Sequence, residues 1–242
     1  MQDYTKKEYW YNGKWEPVLQ TRVEKIKVNG GTTVYDTVAY TVFGPVMFDK
    51  SFSNDLSRKR SLAVRWTAHD PSNEGMTFYK LNRAADYDSY TDAIKTFDCP
   101  GQNFVFASKT GDIALWQQGK FPARWNGQGL YVMPGNDASY NWQGFIPQNE
   151  NPHAKNPERG FLESANQRPA DSAYPYFYSR SYITPRAIAI EHFLSGMNGI
   201  TTTDMMKLQN NYFNTLAEDG RPVLLKYINE NALSAEAKNT WR

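Results

Sequence analysis

The chain has 242 residues and a formal charge of +2, from 27 Lys and Arg side chains against 25 Asp and Glu side chains. This length can bury a sizeable core in one or two domains, and the near-balanced charge argues against nucleic acid as a main partner. The longest basic run is Arg58-Lys59-Arg60, and no apolar stretch approaches the ~20 residues that cross a bilayer. The single cysteine, Cys99, excludes an internal disulfide framework and a multi-cysteine zinc site.

The first third of the chain predicts an all-β unit of antiparallel hairpins. Asn12-Gly13 is a hairpin turn signal between aromatic residues, and Asn29-Gly30-Gly31 predicts a second turn. Further strands are predicted over Val18–Val28, Thr32–Thr41, Phe43–Met47 and Ser61–Thr67. We therefore assign residues 1–83 to a β-rich hairpin region.

The pattern changes at residue 84, and residues 84–242 are assigned to a second region. Ala84–Phe97 has helical spacing with Ser89 as its N-cap, and Asp98–Gly101 ends the helix. Two strands follow, one carrying Asn103 and the other spanning Ile113–Gln117. A tight turn at Lys109-Thr110-Gly111 joins them.

The last third is predicted to be helical. Thr184 and Pro185 mark a helix that runs to about Ser195 and stops at Gly196. Thr201 and Asp204 have the spacing of a capping box for a second helix. The first helix is expected to have one apolar face, formed by Ile183, Ala187, Ile190 and Leu194. The second helix is expected to be interrupted near Asp219–Pro222 and to continue over Val223–Asn229. A short third helix is expected from Ser234. The order of strands, mixed elements and helices indicates an α+β fold.

The residues by themselves show no self-contained active site. The sequence has no GxSxG elbow, no HExxH and no phosphate-binding glycine-rich loop. Its three histidines, His69, His153 and His192, stand in unrelated contexts, which disfavours a triad or a metal cluster. Cys99, before Pro-Gly, is interpreted as a buried small residue. Three acidic residues could be cation ligands or solvated turn residues: Glu74, Asp86 and Asp88.

A series of short segments, in a fixed order, carries most of the information on function. They are Tyr11–Trp15 (YNGKW), Gly44–Val46 (GPV), Gln102–Ala107 (QNFVFA), Thr110–Ile113 (TGDI), Gly119–Arg124 (GKFPAR), Val132–Gly135 (VMPG), Tyr140–Pro147 (YNWQGFIP), Asn156–Gly160 (NPERG) and Ala165-Asn166. This succession resembles the β-chain of the penicillin acylase family of N-terminal nucleophile amidohydrolases. The resemblance implies strands of an αββα core in the second region, with helices after them.

The resemblance also implies site residues. Asn103 falls where the family places the asparagine whose amide donates to the oxyanion of the tetrahedral intermediate. Arg124 matches an arginine near that asparagine and near the catalytic amine, where a cation would orient the asparagine and keep the amine neutral. A strand-edge Asn bonding local backbone and an ordinary loop Arg are the competing interpretations. Asn166 matches a family Ala-Asn element without an assigned role.

Family members cut themselves and expose a serine whose own α-amino group, of pKa ~8, is the base for its hydroxyl. We expect this nucleophile to lie outside the 242 residues, so that the piece alone is inert and needs the rest of the precursor, the α-chain and the remaining β-chain. The expected substrate is a small N-acyl amide, such as a penicillin or an acyl-homoserine lactone. The resemblance further implies no organic cofactor, calcium only in the complete protein, and a periplasmic or secreted location.

Departures from the family pattern are Ser108 after Phe106-Ala107 and Asp112 in the Gly-Asp-Ile context.

A second function class also stays open. The chain contains 7 Trp, 16 Tyr and 13 Phe, which suit either a strand-rich core or an aromatic face that binds glycans or other ligands without catalysis.

Overall fold

The computed structural model describes residues 2–3, 7–49, 60–178, 182 and 184–241. It is an α+β fold with antiparallel sheets, as predicted. The strands are β1 (Gln2–Asp3), β2 (Glu8–Tyr11), β3 (Lys14–Pro17), β4 (Gln20–Ile26), β5 (Val34–Thr41), β6 (Gly44–Phe48), β7 (Leu62–Ala63), β8 (Gln102–Ala107), β9 (Ile113–Gln118) and β10 (His153–Lys155). The helices are α1 (Glu74–Leu81), α2 (Tyr87–Ile94), α3 (Pro185–Ser195), α4 (Thr202–Gln209), α5 (Thr215–Tyr227) and α6 (Ala235–Trp241).

The N-terminal strands form two antiparallel sheets, β1-β2-β3 and β4-β5-β6-β7. The predicted hairpin at Asn12-Gly13 is confirmed, because both residues have positive φ, 50° and 86°, between β2 and β3. A two-residue turn of this hand matches the twist of its strands and favours Asn-Gly. The predicted turn at Asn29-Gly30-Gly31 likewise joins β4 to β5.

A third sheet, β10-β9-β8, carries the central core. Helix α2 covers one face, where Tyr90 and Ile94 pack against Trp116, with Phe104 and Phe106 beside them. Side chains alternate between the two faces of a strand. The opposite face therefore presents Asn103, Val105, Leu115 and Gln117, and Val105 is 70% exposed there.

Two expectations for the first region are wrong. Of the strand predicted over Ser61–Thr67, only Leu62–Ala63 pairs with β6, and the chain then enters a 3-10 turn at Thr67–His69. Helix α1 lies inside the segment interpreted as all β. Its N-cap is Asn73, whose side chain accepts a hydrogen bond from the Met76 backbone N–H at 3.3 Å. The boundary at residue 83/84 stays a prediction.

The helix predicted over Ala84–Phe97 is α2, which is shorter, and its N-cap is Asp86 rather than Ser89. The Asp86 carboxylate accepts from the Ser89 backbone N–H at 2.8 Å, and the Ser89 hydroxyl accepts from the Asp86 N–H at 3.1 Å. These reciprocal bonds place Ser89 at the third helical position of a capping box.

The helix start at Pro185 and its end before Gly196 are confirmed, although the Thr184 side chain makes no capping hydrogen bond. Of the four residues expected to share one face, Ala187 and Leu194 are buried, Ile190 is partly buried and Ile183 is outside the described residues. The capping box at α4 is also confirmed, since Thr201 and Asp204 bond reciprocally.

The interruption predicted at Asp219–Pro222 is wrong. The break falls earlier, between Gln209 and the Asn214 N-cap, whose side chain accepts from the N–H groups of Leu216 and Ala217. Helix α5 then runs through Pro222. A proline there removes one intrahelical hydrogen bond, because it has no backbone N–H. The helix is exposed at this point, so the carbonyl that loses its donor can accept a hydrogen bond from solvent. The predicted start at Ser234 is confirmed, because its hydroxyl caps the Ala237 N–H at 3.1 Å.

Candidate active site

Asn103, the second residue of β8, lies on the sheet face opposite α2. Its Nδ2 donates a 2.6 Å hydrogen bond to the hydroxyl of Ser164, which is 61 residues later in the chain. Both residues line a cavity of about 220 Å³. The structure therefore places the predicted amide donor at a cavity lined by both polar and apolar residues, and not in a local backbone contact.

The far wall of this cavity is a polar loop held by one carboxylate. Glu163 forms a 2.5 Å ion pair with Arg159 and accepts from the Gln167 amide at 3.1 Å. Arg168 also lines the cavity, and among the described residues it has no ion pair or hydrogen bond. The Glu163 network orders the loop that carries Ser164.

Asn166 follows in the same loop with a positive φ of 66°. Asparagine tolerates this left-handed conformation better than most residues. Its Oδ1 accepts a 2.6 Å hydrogen bond from Arg186 of α3, so the contact ties the cavity loop to the C-terminal helices. This bond gives Asn166 a structural part that the sequence did not reveal.

Arg124 lies in an irregular segment that is fixed by backbone pairing. Ala123 donates to the Gly144 carbonyl at 3.0 Å. The guanidinium lies 5.6 Å from the ring centroid of Phe177, its Nη1 donates to the Gln128 carbonyl at 3.4 Å, and its Nε is buried without a hydrogen-bond partner. A partly buried cation with spare donor capacity is thus held near the tyrosine-rich segment that follows residue 173.

Tyr178 connects this segment to the sheet. Its hydroxyl donates to Oε1 of Gln117, and Gln117 is the direct cross-strand partner of Asn103. Burial raises the pKa of Tyr178, and the nearby charge of Arg124 opposes that rise. The phenol is therefore a protonated donor at neutral pH.

No hydrogen bond joins Asn103 to Arg124 within the described ranges. Asn103 lies opposite Gln117 in the β8–β9 pair, Gln117 accepts from the Tyr178 hydroxyl, and the charge of Arg124 acts on Tyr178. Sequence reasoning missed Ser164, Gln117 and Tyr178. Gln117 could have been found by counting the β8–β9 hairpin register outward from its turn. No local pattern indicated Ser164 or Tyr178, because their partners are 61 residues distant.

The three histidines lie in separate places, and one of them, His153, also lines the cavity of Asn103. His153 stacks on Trp116 at 4.0 Å, His69 contacts Trp66, and His192 contacts Phe213. Cys99 is buried, as interpreted from the sequence, and accepts a 3.4 Å hydrogen bond from the Thr67 hydroxyl.

Two of the three acidic residues weighed as cation ligands have other partners: Asp86 caps α2, and Glu74 accepts from the Cys99 N–H at 3.0 Å. Within the described part of the chain, no group of three His, Cys, Asp or Glu residues could hold a metal ion. These residues alone do not fit a calcium site.

A second cavity, of about 250 Å³, lies near the N-terminal sheets. Its wall is mainly aromatic, from Phe43, Tyr140, Trp142 and Phe145, and the guanidinium of Arg65 stacks 4.6 Å above Trp142. Here aromatic side chains form a concave surface. Elsewhere aromatic residues mainly pack with one another, as Tyr90 and Phe106 do at 5.1 Å.

Comparison with known proteins decides the family. The sequence model of the family described as penicillin amidase matches residues 1–241. The chain belongs to the penicillin amidase family. It is 30% identical over 177 residues to the acyl-homoserine lactone acylase QuiP of Pseudomonas fluorescens, covering 73% of this chain and 22% of that protein. It is 24% identical over 162 residues to the penicillin G acylase of Escherichia coli, covering 66% and 18%.

Among solved structures, a thermostable penicillin G acylase from Alcaligenes faecalis superposes with a TM-score of 0.66 at 21% identity, covering 95% of this chain and 40% of the other. This likeness confirms the fold of the N-terminal nucleophile hydrolases. The chain spans only about a fifth of the length of these two relatives, 22% and 18%. No helix within the described ranges is long and apolar enough to span a membrane.

Proposed function

We propose that the complete protein containing this chain hydrolyses linear amide bonds of N-acyl compounds, releasing a carboxylic acid and an amine without an organic cofactor. The observation that carries the proposal is the side-chain amide of Asn103, which lines a cavity of mixed polar and apolar residues in a penicillin amidase fold. The printed names of the relatives, a homoserine lactone acylase and a penicillin acylase, support the substrate class.

In this proposal Asn103 acts when the nucleophile adds to the substrate carbonyl. The carbonyl π electrons then move onto oxygen, and the side-chain amide donates to the resulting oxyanion. In the structure the Ser164 hydroxyl accepts that same hydrogen bond, so Ser164 occupies the place where a substrate oxygen would bind. A donor that strengthens its bond as charge develops lowers the barrier rather than only tightening substrate binding.

Arg124 would act through charge. A fixed cation near the attacking amine disfavours the protonated amine and therefore lowers its pKa. The neutral form is the one that can take the proton of the nucleophile. We propose that this nucleophile is an N-terminal serine from outside the 242 residues, that the remaining precursor chains are the protein's partners, and that the location is periplasmic or secreted.

A non-catalytic, aromatic binding module is the second candidate, and the aromatic cavity beside Trp142 is the observation that favours it. In that case glycans would bind at Trp142 and Arg65, and Asn103 would have no effect. The family membership favours the amidase.

The deciding experiment assays the complete protein on N-octanoyl-homoserine lactone and penicillin G, with fluorescamine detection of the released amine. The wild type should hydrolyse at least one amide, and Asn103→Ala should lower kcat by about 10²–10³. Asn149→Ala, in an exposed 3-10 turn, is the matched control and should be unchanged. The isolated 242-residue chain should be inert in the same assay.

Absence of hydrolysis in the wild type, with saturable glycan binding that quenches tryptophan fluorescence, would establish the second candidate instead. Hydrolysis by the isolated chain that is lost in Asn103→Ala would overturn the external nucleophile.

A further inference from the structure

Gln117 is the residue directly opposite Asn103 in the β8–β9 pair. The Gln117 backbone N–H bonds to the Pro152 carbonyl, on the β10 side, at 2.9 Å. In an antiparallel strand the N–H and C=O of one residue point to the same side, so the Gln117 backbone groups point away from β8. Asn103 and Gln117 are therefore a non-hydrogen-bonded pair. Side chains are closer in such pairs, with the Cα atoms about 4.5 Å apart. The two carboxamides are therefore neighbours on one sheet face.

Tyr178 fixes which end of the Gln117 carboxamide is free. Its hydroxyl donates to Oε1, so the carboxamide nitrogen Nε2 is the end that is not engaged. Tyr178 is itself held, because its ring packs against Tyr174 at 5.6 Å and the Tyr174 hydroxyl donates to the Glu150 carbonyl at 2.9 Å. Within the described residues neither Gln117 Nε2 nor Asn103 Oδ1 has a hydrogen-bond partner.

These contacts leave one unused donor beside one unused acceptor. When a substrate oxygen replaces the Ser164 hydroxyl as acceptor for Asn103 Nδ2, the Asn103 carboxamide must keep a defined plane to donate well. Its Oδ1 then needs a donor, and Gln117 Nε2 is the neighbouring group with free capacity. A carboxamide anchored at its oxygen loses little orientational freedom in the reacting complex.

The geometry points to Gln117, held by Tyr178, as the positioning residue for Asn103. This inference rests on the proposed amidase function, in which Asn103 donates to the oxyanion. Gln117 acts through Asn103 and does not touch the substrate, whereas Tyr178 acts through Gln117.

The first test is a double-mutant cycle in the complete protein, with kcat and KM measured for the better amide substrate. Gln117→Met keeps the length of the side chain and removes its donor, and it should lower kcat by about 3- to 10-fold with little change in KM. In the Asn103→Ala background the same change should have almost no further effect, because the positioned group is gone. Equal losses in both backgrounds would mean a merely structural role and would overturn the inference.

Tyr178→Phe is a second and milder test, since it removes only the hydroxyl that donates to Gln117 Oε1. It should lower kcat in the same direction, and again only when Asn103 is present. Tyr176→Phe is the matched control: the Tyr176 hydroxyl bonds to Glu150 and not to the sheet, so kcat should be unchanged. A loss in Tyr178→Phe that persists without Asn103 contradicts the inference.

The second test does not depend on turnover. Ser164→Ala removes the competing acceptor, so a crystal structure of that variant should show Asn103 Oδ1 within about 2.7–3.2 Å of Gln117 Nε2. Separation beyond hydrogen-bonding distance overturns the inference even if the enzyme is active. Conversely, an inactive wild type with this bond present contradicts the proposed function and leaves the positioning contact standing.

Discussion

Asn103 Nδ2 and Ser164 Oγ are joined by a 2.6 Å hydrogen bond across one wall of the cavity. The amide that would stabilise an oxyanion is thus already donating to a hydroxyl of the same chain. A substrate oxygen has to displace that hydroxyl, and the free energy of the lost bond is subtracted from the binding of the substrate or transition state.

We therefore expect Ser164→Ala to raise kcat/KM of the complete protein by about 2- to 10-fold, the range for one net hydrogen bond of ~0.5–1.5 kcal/mol. Amine release from an N-acyl substrate measures the effect. Ser172→Ala, at an exposed serine without a described contact, is the control. A tenfold loss of activity would instead assign the Ser164 hydroxyl a direct part in the reaction.

Arg124→Met should reduce kcat/KM and move the acidic limb of the pH–rate profile toward higher pH. The profile should shift in this direction because the guanidinium disfavours protonation of a nearby amine. Its removal therefore raises the pKa of that amine. The base is then protonated over a wider acidic range. Arg186→Met, a cation that instead bonds to Asn166, serves as the comparison. An unmoved profile in Arg124→Met would place the guanidinium away from the base.

Tyr90→Phe tests the core beneath the site. The Tyr90 hydroxyl donates to the Phe104 carbonyl at 2.9 Å, and its loss leaves a partly buried acceptor without this donor. We expect a decrease of about 1–2 kcal/mol in the free energy of unfolding, measured by denaturant titration. Tyr87→Phe, on the same helix and with no described hydroxyl bond, should cost less. Equal costs would show that the Tyr90 bond contributes nothing.

Asp86→Ala should lower the melting temperature at pH 7 through loss of the α2 capping box. Hydrogen bonds from the Ser89 hydroxyl and backbone N–H hold the pKa of the Asp86 carboxyl below its ordinary value of 3.8. A carboxyl with a lowered folded-state pKa stabilises fully above the ordinary value and loses that stabilisation as pH falls through the lowered pKa.

The difference in melting temperature between wild type and Asp86→Ala should therefore be constant between about pH 5 and pH 7, because this range lies above the ordinary pKa of the carboxyl. The difference should shrink in more acidic solution. Calorimetry over this pH range measures it. Asp219→Ala, at an exposed position of α5 without a described contact, is the control. A difference that does not shrink in acid would mean that the capping does not depend on the charge.

Elements with local signals could be predicted from the amino-acid sequence. Asn12-Gly13 specified a hairpin, Pro185 a helix start, and Thr201 with Asp204 a capping box, because each acts through backbone dihedrals or hydrogen bonds within four residues. The order of strands and helices predicted the α+β class, and the ordered family segments predicted Asn103 and Arg124 as site residues. The same local reasoning failed at Ser89, since Asp86 is the better-placed N-cap, and at Pro222, since an exposed helix tolerates one lost bond.

The surroundings of the candidate site depend on contacts between distant parts of the chain. Ser164 reaches Asn103, and Tyr178 reaches Gln117, across 61 residues in each pair. Such contacts depend on how a loop crosses a sheet, which is set by packing between elements that are distant in the sequence. No periodicity or turn signal encodes that arrangement, because the hydrogen-bonding partners are set by the whole fold and not by their sequence neighbours.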